Sequence, residues 1–220
     1  MATQTSVGKL EQTFSGSDFS SHGKRWDGLW KESFTPWDRG GPSMALNDLL
    51  LERQDLIPPS QDGGRRKKAL VPGCGRGYDV LLLAALGYDV YGLDYSADAI
   101  ERAVANSKEV GGEPVYSARE GVEKGNVTWL TGDFFADERL RTGEFDLIFD
   151  YTVSLLRVPS QKRKPVFNNC RSSVVADAPI SSSSVLCHLM LDRSGPNAYH
   201  SFSSPAAAGS SVSSGHCTSR

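Results

Sequence analysis

The sequence predicts an α/β fold with a parallel sheet, and three observations lead to that prediction. An apolar run from Ala69 to Val71 leads into a glycine loop, Gly73 to Gly77, and a helical pattern follows the loop. A second apolar run, Tyr88 to Leu93, ends at an acid, Asp94. Further short apolar runs follow downstream, separated by polar loops. Strands that alternate with helical segments are typical of crossover units, whose strands are parallel.

Each core element has its own local signal. Gly87 marks the end of the first helix, because glycine adopts the left-handed conformation just past a helix, and Ser96 has a residue type typical of an N-cap. We predict strands at Ala69–Val71, Tyr88–Leu93, Val127–Leu130 and Phe145–Tyr151, and helices at Met44–Leu56, Asp79–Leu86 and Ser96 to about Glu109. Four strands are roughly half of a doubly wound sheet, so only the N-terminal half of such a sheet is predicted.

The segment before the core divides into two parts. Residues 1–24 are polar and are expected to form a flexible N-terminus. Trp26, Trp30 and Trp37 then lie close together in the sequence. Trp26 and Trp30 are four residues apart, so they share one face if this stretch is a helix. Pro36 ends that helix, because the residue before a proline avoids the helical region. The folded domain is therefore predicted to span residues 25–152.

The pattern changes abruptly after Thr152. Residues 153–220 are roughly one-quarter serine and carry a net charge of +5, whereas the rest of the chain carries −7. Val185 to Leu191 is the one strand-like piece in this stretch. We expect a low-complexity, disordered tail that is not homologous to the domain before it. The fourth strand would then be an uncovered edge, and stability and activity would both be weak.

Composition excludes several classes of function. A net charge of −2 over 220 residues gives no basic field for nucleic acid, and no apolar run approaches the 18 residues of a membrane span. The polar N-terminus lacks a signal-peptide core, so we expect a cytoplasmic protein. We also expect a monomer. The adjacent pairs Cys187-His188 and His216-Cys217 do not have zinc-site spacing, so no metal is expected. The cysteines lack disulfide spacing and are expected to be reduced: Cys74, Cys170, Cys187 and Cys217.

The glycine spacing favours one cofactor over another. Glycines let the backbone approach a ligand closely, and an acid at the next strand tip accepts hydrogen bonds from ribose hydroxyls, so an adenosine-containing cofactor is expected. A nicotinamide fingerprint requires a glycine at position 78, where this chain has Tyr78. The form Gly73-x-Gly75-x-Gly77 suits S-adenosylmethionine better, since that cofactor has no pyrophosphate to bind at the helix N-terminus. A tight strand–helix turn without any ligand remains an alternative.

Two later motifs support an adenosine site. Asp133 and Phe134 follow the third strand, where the acid can accept from the adenine amino group and the ring can stack on the base. Their alternative role is a helix N-cap and a core side chain. Asp150 and Tyr151 end the fourth strand, at the edge where open α/β sheets bind ligands, although a solvated turn would also fit.

Taken together, the motifs resemble the thiopurine/thiol S-methyltransferase family, and in particular its plant and fungal thiol and halide methyltransferase branch. The resemblance covers about residues 26–152 and rests on motifs that occur in this order: Trp26-x-x-x-Trp30, Thr35-Pro36-Trp37-Asp38-x-Gly40, Leu70 to Val80, Gly92-Leu93-Asp94, Gly132 to Phe135 and Phe145 to Tyr151. It implies a Rossmann-like class I methyltransferase fold and S-adenosylmethionine as cofactor.

The resemblance also implies roles for individual residues. The three tryptophans Trp26, Trp30 and Trp37 would close over the cofactor, unless they form only a hydrophobic cap on the core. The glycine loop, with Gly73 and Gly75, would pass beside the methionine portion. Asp94 would bind the ribose, and Asp133 and Phe134 the adenine. Tyr151 would lie near the methyl group and the substrate, as the candidate catalytic residue.

The implied chemistry is methyl transfer to a small thiol or inorganic anion such as hydrosulfide, thiocyanate or halide. These nucleophiles are already anionic or partly so and need little general-base help, and alignment supplies most of the catalysis. Cys74 is expected to be a packing residue rather than a nucleophile. Two alternatives stay open: a truncated, inactive cofactor binder, and a nicotinamide-dependent oxidoreductase.

Overall fold

The computed structural model describes residues 5–52, 61–62, 64–137, 145–150, 174–175 and 188–191. Short 3₁₀ helices lie at Phe19–Ser21 and Pro114–Tyr116. The α-helices are α1 Ser6–Phe14, α2 His22–Lys31, α3 Met44–Glu52, α4 Tyr78–Ala85 and α5 Ala97–Val110. The strands are β1 Gln61–Asp62, β2 Arg65–Arg66, β3 Lys68–Pro72, β4 Asp89–Asp94, β5 Val127–Thr131, β6 Leu147–Asp150, β7 Val174–Val175 and β8 His188–Leu191.

A six-stranded sheet in the order β5-β4-β3-β6-β8-β7 forms the centre of the fold. The first four of these strands are mutually parallel, with Val71 opposite Gly92 and Leu70 opposite Ile148. The chain moves outward from β3 through β4 to β5 and then returns to β6 on the other side of β3. This reversal of strand order is the topological switch point of doubly wound sheets, where ligands bind. The predicted α/β half-sheet is therefore confirmed.

The strands β7 and β8 lie in the segment for which the sequence predicted a disordered tail. Strand β8 pairs antiparallel with β6, with Leu147 opposite Leu191 and Asp150 opposite His188, and β7 pairs with β8. The expectation of an uncovered edge at β6 was therefore wrong. Strand β8 falls inside the strand-like piece Val185 to Leu191, whose apolar residues favour pairing over solvation. The rest of residues 153–220 lies outside the described part of the chain.

The strands bury side chains on both faces of the sheet. In β6, Leu147 and Phe149 pack into a cluster with Val71, Val80 and further residues of α3 and α4. On the other face, the cluster consists of Leu70, Leu93, Phe134 and Ile148. Successive strand residues point to opposite faces, so a continuous apolar run is what a sheet covered on both sides requires.

Local signals in the sequence account for the helix boundaries of the core. Gly87 follows α4 with φ +90°, in the left-handed region that glycine favours. The Ser96 hydroxyl accepts a hydrogen bond from the Ala99 N–H at 3.4 Å, which makes it the N-cap of α5. Both signals were predicted, and the ends of α4 and α5 lie within one residue of their predicted positions.

The N-terminal segment is more ordered than the sequence suggested. Residues 1–24 were expected to be flexible, yet residues 6–14 form α1 and α2 already begins at His22. The Thr5 hydroxyl caps α1 by accepting the Gly8 N–H. The ring of Phe14 lies 4.6 Å from that of Trp26, so α1 covers part of the tryptophan face of α2. A tertiary contact of this kind stabilises a short polar helix whose own propensity is low.

Trp129 on β5 lies across two glycines of neighbouring elements. A Cβ on Gly92 of β4 would stand 2.7 Å from the ring atoms Cε3 and Cζ3 of Trp129. A Cβ on Gly77, at the start of α4, would overlap the same ring. The indole therefore occupies the space left by the absence of side chains at Gly92 and Gly77, and it packs β4, β5 and α4 against one another.

This packing predicts that Gly92→Ala destabilises the fold by about 1 to 3 kcal/mol, because the added methyl group overpacks the indole. The measurement is the free energy of unfolding from urea titration. Gly112→Ala is the matched control, since a Cβ at Gly112 meets nothing within 4 Å. Equal unfolding free energies for the two variants would contradict the packing role of Trp129.

Candidate cofactor site

A cavity of about 480 Å³ opens at the carboxyl ends of β3, β4 and β5. Three groups of residues line it: the glycine loop after β3, the ends of β4 and β5, and a cap formed by α2 and the segment from Pro36 to Ser43. The volume is within the range of small-molecule and cofactor sites. The cavity lies at the carboxyl ends of strands, where open α/β sheets bind ligands.

The glycine loop turns tightly beneath this cavity. Gly73, Gly75 and Gly77 all have positive φ, at +61°, +52° and +78°, and side chains are strained in that region. The Cys74 N–H donates to the Leu93 carbonyl at 3.0 Å, which ties the loop to β4. Burial raises the pKa of the Cys74 thiol well above its usual range. The thiol therefore stays protonated, which agrees with a packing role.

Asp94 connects the end of β4 to the loop and to α5. One carboxylate oxygen, Oδ2, accepts the Gly75 N–H at 3.0 Å, and Oδ1 accepts the Ser96 N–H at 3.0 Å. Burial raises the pKa of Asp94, and hydrogen bonds from the backbone N–H groups of Ser96, Gly75 and Tyr95 oppose that shift. Each carboxylate oxygen has further lone pairs, so the side chain can accept additional hydrogen bonds from a ligand in the cavity.

The cap is attached to the core through Ser96. Its hydroxyl donates to Oδ1 of Asp27 on α2 at 2.8 Å. Asp27 also forms an ion pair of 2.7 Å with Lys31, and the pKa of Asp27 is lowered by the Lys31 hydrogen bond, despite some burial, and further by Ser96. Ser96 thus serves α5 as N-cap and holds α2 against the end of the sheet.

Three tryptophans form the aromatic part of the cap, as the sequence predicted for a helix carrying Trp26 and Trp30. The Trp37 ring stands edge-on to both, with centroids 4.9 Å from Trp26 and 5.8 Å from Trp30. Trp30 is buried and lies against the loop, since a Cβ on Gly75 would be 3.4 Å from its Cζ2. All three rings line the cavity.

Asp133 and Phe134 also line the cavity, at the end of β5. Phe134 is buried in the second core cluster, and Oδ1 of Asp133 accepts the Phe135 N–H at 2.9 Å. The core role considered for Phe134 is therefore present alongside its place in the cavity wall, whereas Asp133 stabilises a turn rather than capping a helix. Tyr151, the candidate catalytic residue, lies outside the described residues.

Two charged groups of the wall received no role from the sequence. Arg76 of the glycine loop pairs with Asp38 of the cap, Nε to Oδ2 at 2.6 Å. Asp79, in the first turn of α4, accepts the Ser43 N–H on Oδ1 at 2.7 Å. Burial raises the pKa of Asp79 from its ordinary 3.8 to about 6, against the Ser43 hydrogen bond and the charge of Arg39. Asp38 and Asp79 both belong to motifs that the sequence analysis recognised, but their partners, Arg76 and Ser43, are distant from them in sequence.

Other kinds of site are absent from the described residues. No group of three or more His, Cys, Asp or Glu side chains among them could hold a metal ion. None of the helices described is long and apolar enough to cross a membrane.

Comparison with known proteins gives consistent matches. Residues 21–193 match the family model named thiopurine S-methyltransferase, so this match extends past Thr152. A protein of Arabidopsis thaliana named "Probable thiol methyltransferase 2" is 37% identical over 136 residues, 62% of this chain and 50% of that protein. Thiocyanate methyltransferase 1 of Brassica oleracea is 32% identical over 128 residues, 58% of this chain and 47% of that protein. The chain spans about half the length of these curated relatives.

Solved structures also match over much of the chain. A TehB-like S-adenosylmethionine-dependent methyltransferase from Corynebacterium glutamicum aligns with 14% identity and a TM-score of 0.40, over 79% of this chain and all of that one. A structure titled for the conversion of a disulfide bond into a thioacetal group in echinomycin biosynthesis aligns with 25% identity and a TM-score of 0.46. That alignment covers 66% of this chain and 53% of the other.

The raised pKa of Asp79 predicts how stability depends on pH. The folded state holds the proton more tightly than the unfolded chain, so the free energy of unfolding falls as the pH rises from about 4 to about 6. Asp79→Asn removes this titration and is expected to be more stable than the wild type by about 1 to 2 kcal/mol above pH 7. The difference should shrink towards pH 4.

Urea titrations of both proteins between pH 4.5 and 8 measure this difference. Asp98→Asn is the matched control, because Asp98 occupies the first turn of α5 as Asp79 occupies that of α4, and it does not line the cavity. A stability gain in Asp79→Asn that is the same at every pH would contradict the burial argument.

Proposed function

The chain belongs to the thiopurine S-methyltransferase family, and on that premise we propose that it binds S-adenosylmethionine and methylates a small thiol or inorganic anion. Hydrosulfide, thiocyanate and halide are the substrates proposed. The names of its relatives, a thiol and a thiocyanate methyltransferase, support this substrate class.

The observation that carries the proposal is the glycine loop held by Asp94 beneath an aromatic cap. A loop without side chains lets a ligand lie directly on the backbone, and the cavity it lines is large enough for a cofactor. We assign the ribose hydroxyls to Asp94 and the adenine to Asp133 and Phe134. The methionine portion is assigned to Gly73 and Gly75.

Alignment and exclusion of water are the main tasks of the protein in this reaction. When bound, S-adenosylmethionine supplies an electrophilic methyl group on a sulfonium centre. In this proposal the rings of Trp26, Trp30 and Trp37 shield the sulfonium centre from water. Their aromatic faces also attract its positive charge. Thiolates and halides attack without a strong general base. Tyr151 is proposed to lie beside the methyl group and the substrate.

We further propose that the protein acts in the cytoplasm as a monomer with small-molecule partners only. A net charge of −2 supports the absence of a nucleic-acid partner.

Calorimetric titration with S-adenosylhomocysteine and with NAD tests the cofactor, and a methylation assay with hydrosulfide, thiocyanate and iodide tests the reaction. Binding of S-adenosylhomocysteine together with methyl transfer supports the proposal. Binding without transfer would favour an inactive cofactor binder. Binding of NAD in place of S-adenosylhomocysteine would contradict the proposal in favour of an oxidoreductase.

The aromatic cap predicts a charge-selective effect of Trp37→Leu. Affinity for S-adenosylmethionine should fall about three- to tenfold more than affinity for the uncharged thioether S-adenosylhomocysteine, because a cation–π contact is lost. Trp37→Phe keeps an aromatic face, so it is expected to retain most of the wild-type ratio of the affinities for the two ligands. Equal losses for both ligands in Trp37→Leu would show that the ring acts by packing alone.

A further inference from the structure

Asp79 is a half-buried carboxylate in the wall of the cavity whose hydrogen bonding is incomplete. Its Oδ1 accepts the Ser43 N–H at 2.7 Å. Among the described residues, no hydrogen bond involves Oδ2 of Asp79. This oxygen is therefore available to a donor that enters the cavity. Such a donor would be favourable, because burying a carboxylate is costly unless it is paired and hydrogen-bonded.

The other carboxylates of the cavity wall are engaged by groups of the protein. Asp38 is paired with Arg76. Asp94 accepts from Gly75 and Ser96, one on each oxygen, and Asp133 accepts from Phe135. Asp79 accepts one backbone N–H, and the positive charge of Arg39 also acts on it. Asp79 can therefore still accept a hydrogen bond from a cationic ligand group in the cavity.

The order of the strands places Asp79 at one end of the cavity. Asp133 follows β5, Asp94 is the last residue of β4, and Asp79 lies beyond the glycine loop that follows β3. The same order runs from the adenine through the ribose to the amino-acid end of the cofactor, if Asp133 and Asp94 bind the groups assigned to them above. Asp79 then lies at the amino-acid end, whose α-ammonium group is a cation with three N–H donors.

We propose that Oδ2 of Asp79 accepts a hydrogen bond from the α-ammonium group of the cofactor's methionine portion. This assignment rests on the proposed function and adds a binding residue to it. The raised pKa of Asp79 is compatible with the assignment, because the carboxyl is ionised above about pH 6 and an entering ammonium group would favour that form. A carboxylate that costs stability in the free protein would be compensated when the cofactor binds.

A matched pair of ligands tests the contact. S-adenosylhomocysteine carries the ammonium group, and its deaminated analogue, with CH₂ in place of CH–NH₃⁺, keeps the carboxylate, the thioether and the nucleoside. Titrations at pH 8 are expected to show wild-type protein binding S-adenosylhomocysteine at least about tenfold more tightly than the analogue. Asp79→Asn should bind the two ligands with nearly equal affinity.

Controls separate this contact from a structural role of Asp79. Asparagine can still accept the Ser43 N–H, and Asp98→Asn should keep the wild-type preference between the two ligands. If Asp79→Asn also kept that preference, or if the wild type had none, the assignment would be overturned while the proposed function stood. Wild-type protein that binds neither ligand would contradict the proposed function itself, and the Asp79 assignment with it.

Discussion

The carboxylate of Asp94 is the interaction on which the site depends. Through the N–H groups of Gly75 and Ser96 it joins the end of β4 to the glycine loop after β3 and to the start of α5. Ser96 in turn holds Asp27, and with it the helix that carries two of the three cap tryptophans. The glycine loop, the start of α5 and the cap are therefore all connected through one buried carboxylate. Its burial strengthens each hydrogen bond that it accepts.

The carboxylates in the cavity wall differ in how the protein compensates their burial. Asp38 is neutralised by Arg76 across the opening between cap and loop, and Asp94 is satisfied by backbone donors. Asp79 accepts one backbone N–H, and burial raises its pKa to about 6. Functional sites often keep such groups at a cost in stability, because a ligand supplies the missing partner.

Local patterns in the sequence were sufficient for the core elements. The residues that end α4 and cap α5, Gly87 and Ser96, act through neighbours within four positions, so their roles were visible without the fold. The strand ends that line the cavity followed, once the strands were recognised, from the rule that open α/β sheets bind ligands at the carboxyl ends of strands. The α1 helix, the β8 pairing and the Asp38–Arg76 ion pair were not predicted. Each of these depends on partners far along the chain, which periodicity and capping signals do not encode.

The pairing of β3 with β6 has a consequence for the order in which the protein folds. Ala69 and Leu147 are partners across a separation of 78 residues, whereas β3 and β4 pair across about 20. Closing the longer loop costs more chain entropy, and contacts of this range slow folding. The β3–β4 unit with the glycine loop can assemble early during synthesis, but the switch point forms only after β6 has been made. A nascent chain therefore acquires the glycine loop and the β3–β4 pair well before it acquires the β3–β6 pair that completes the switch point.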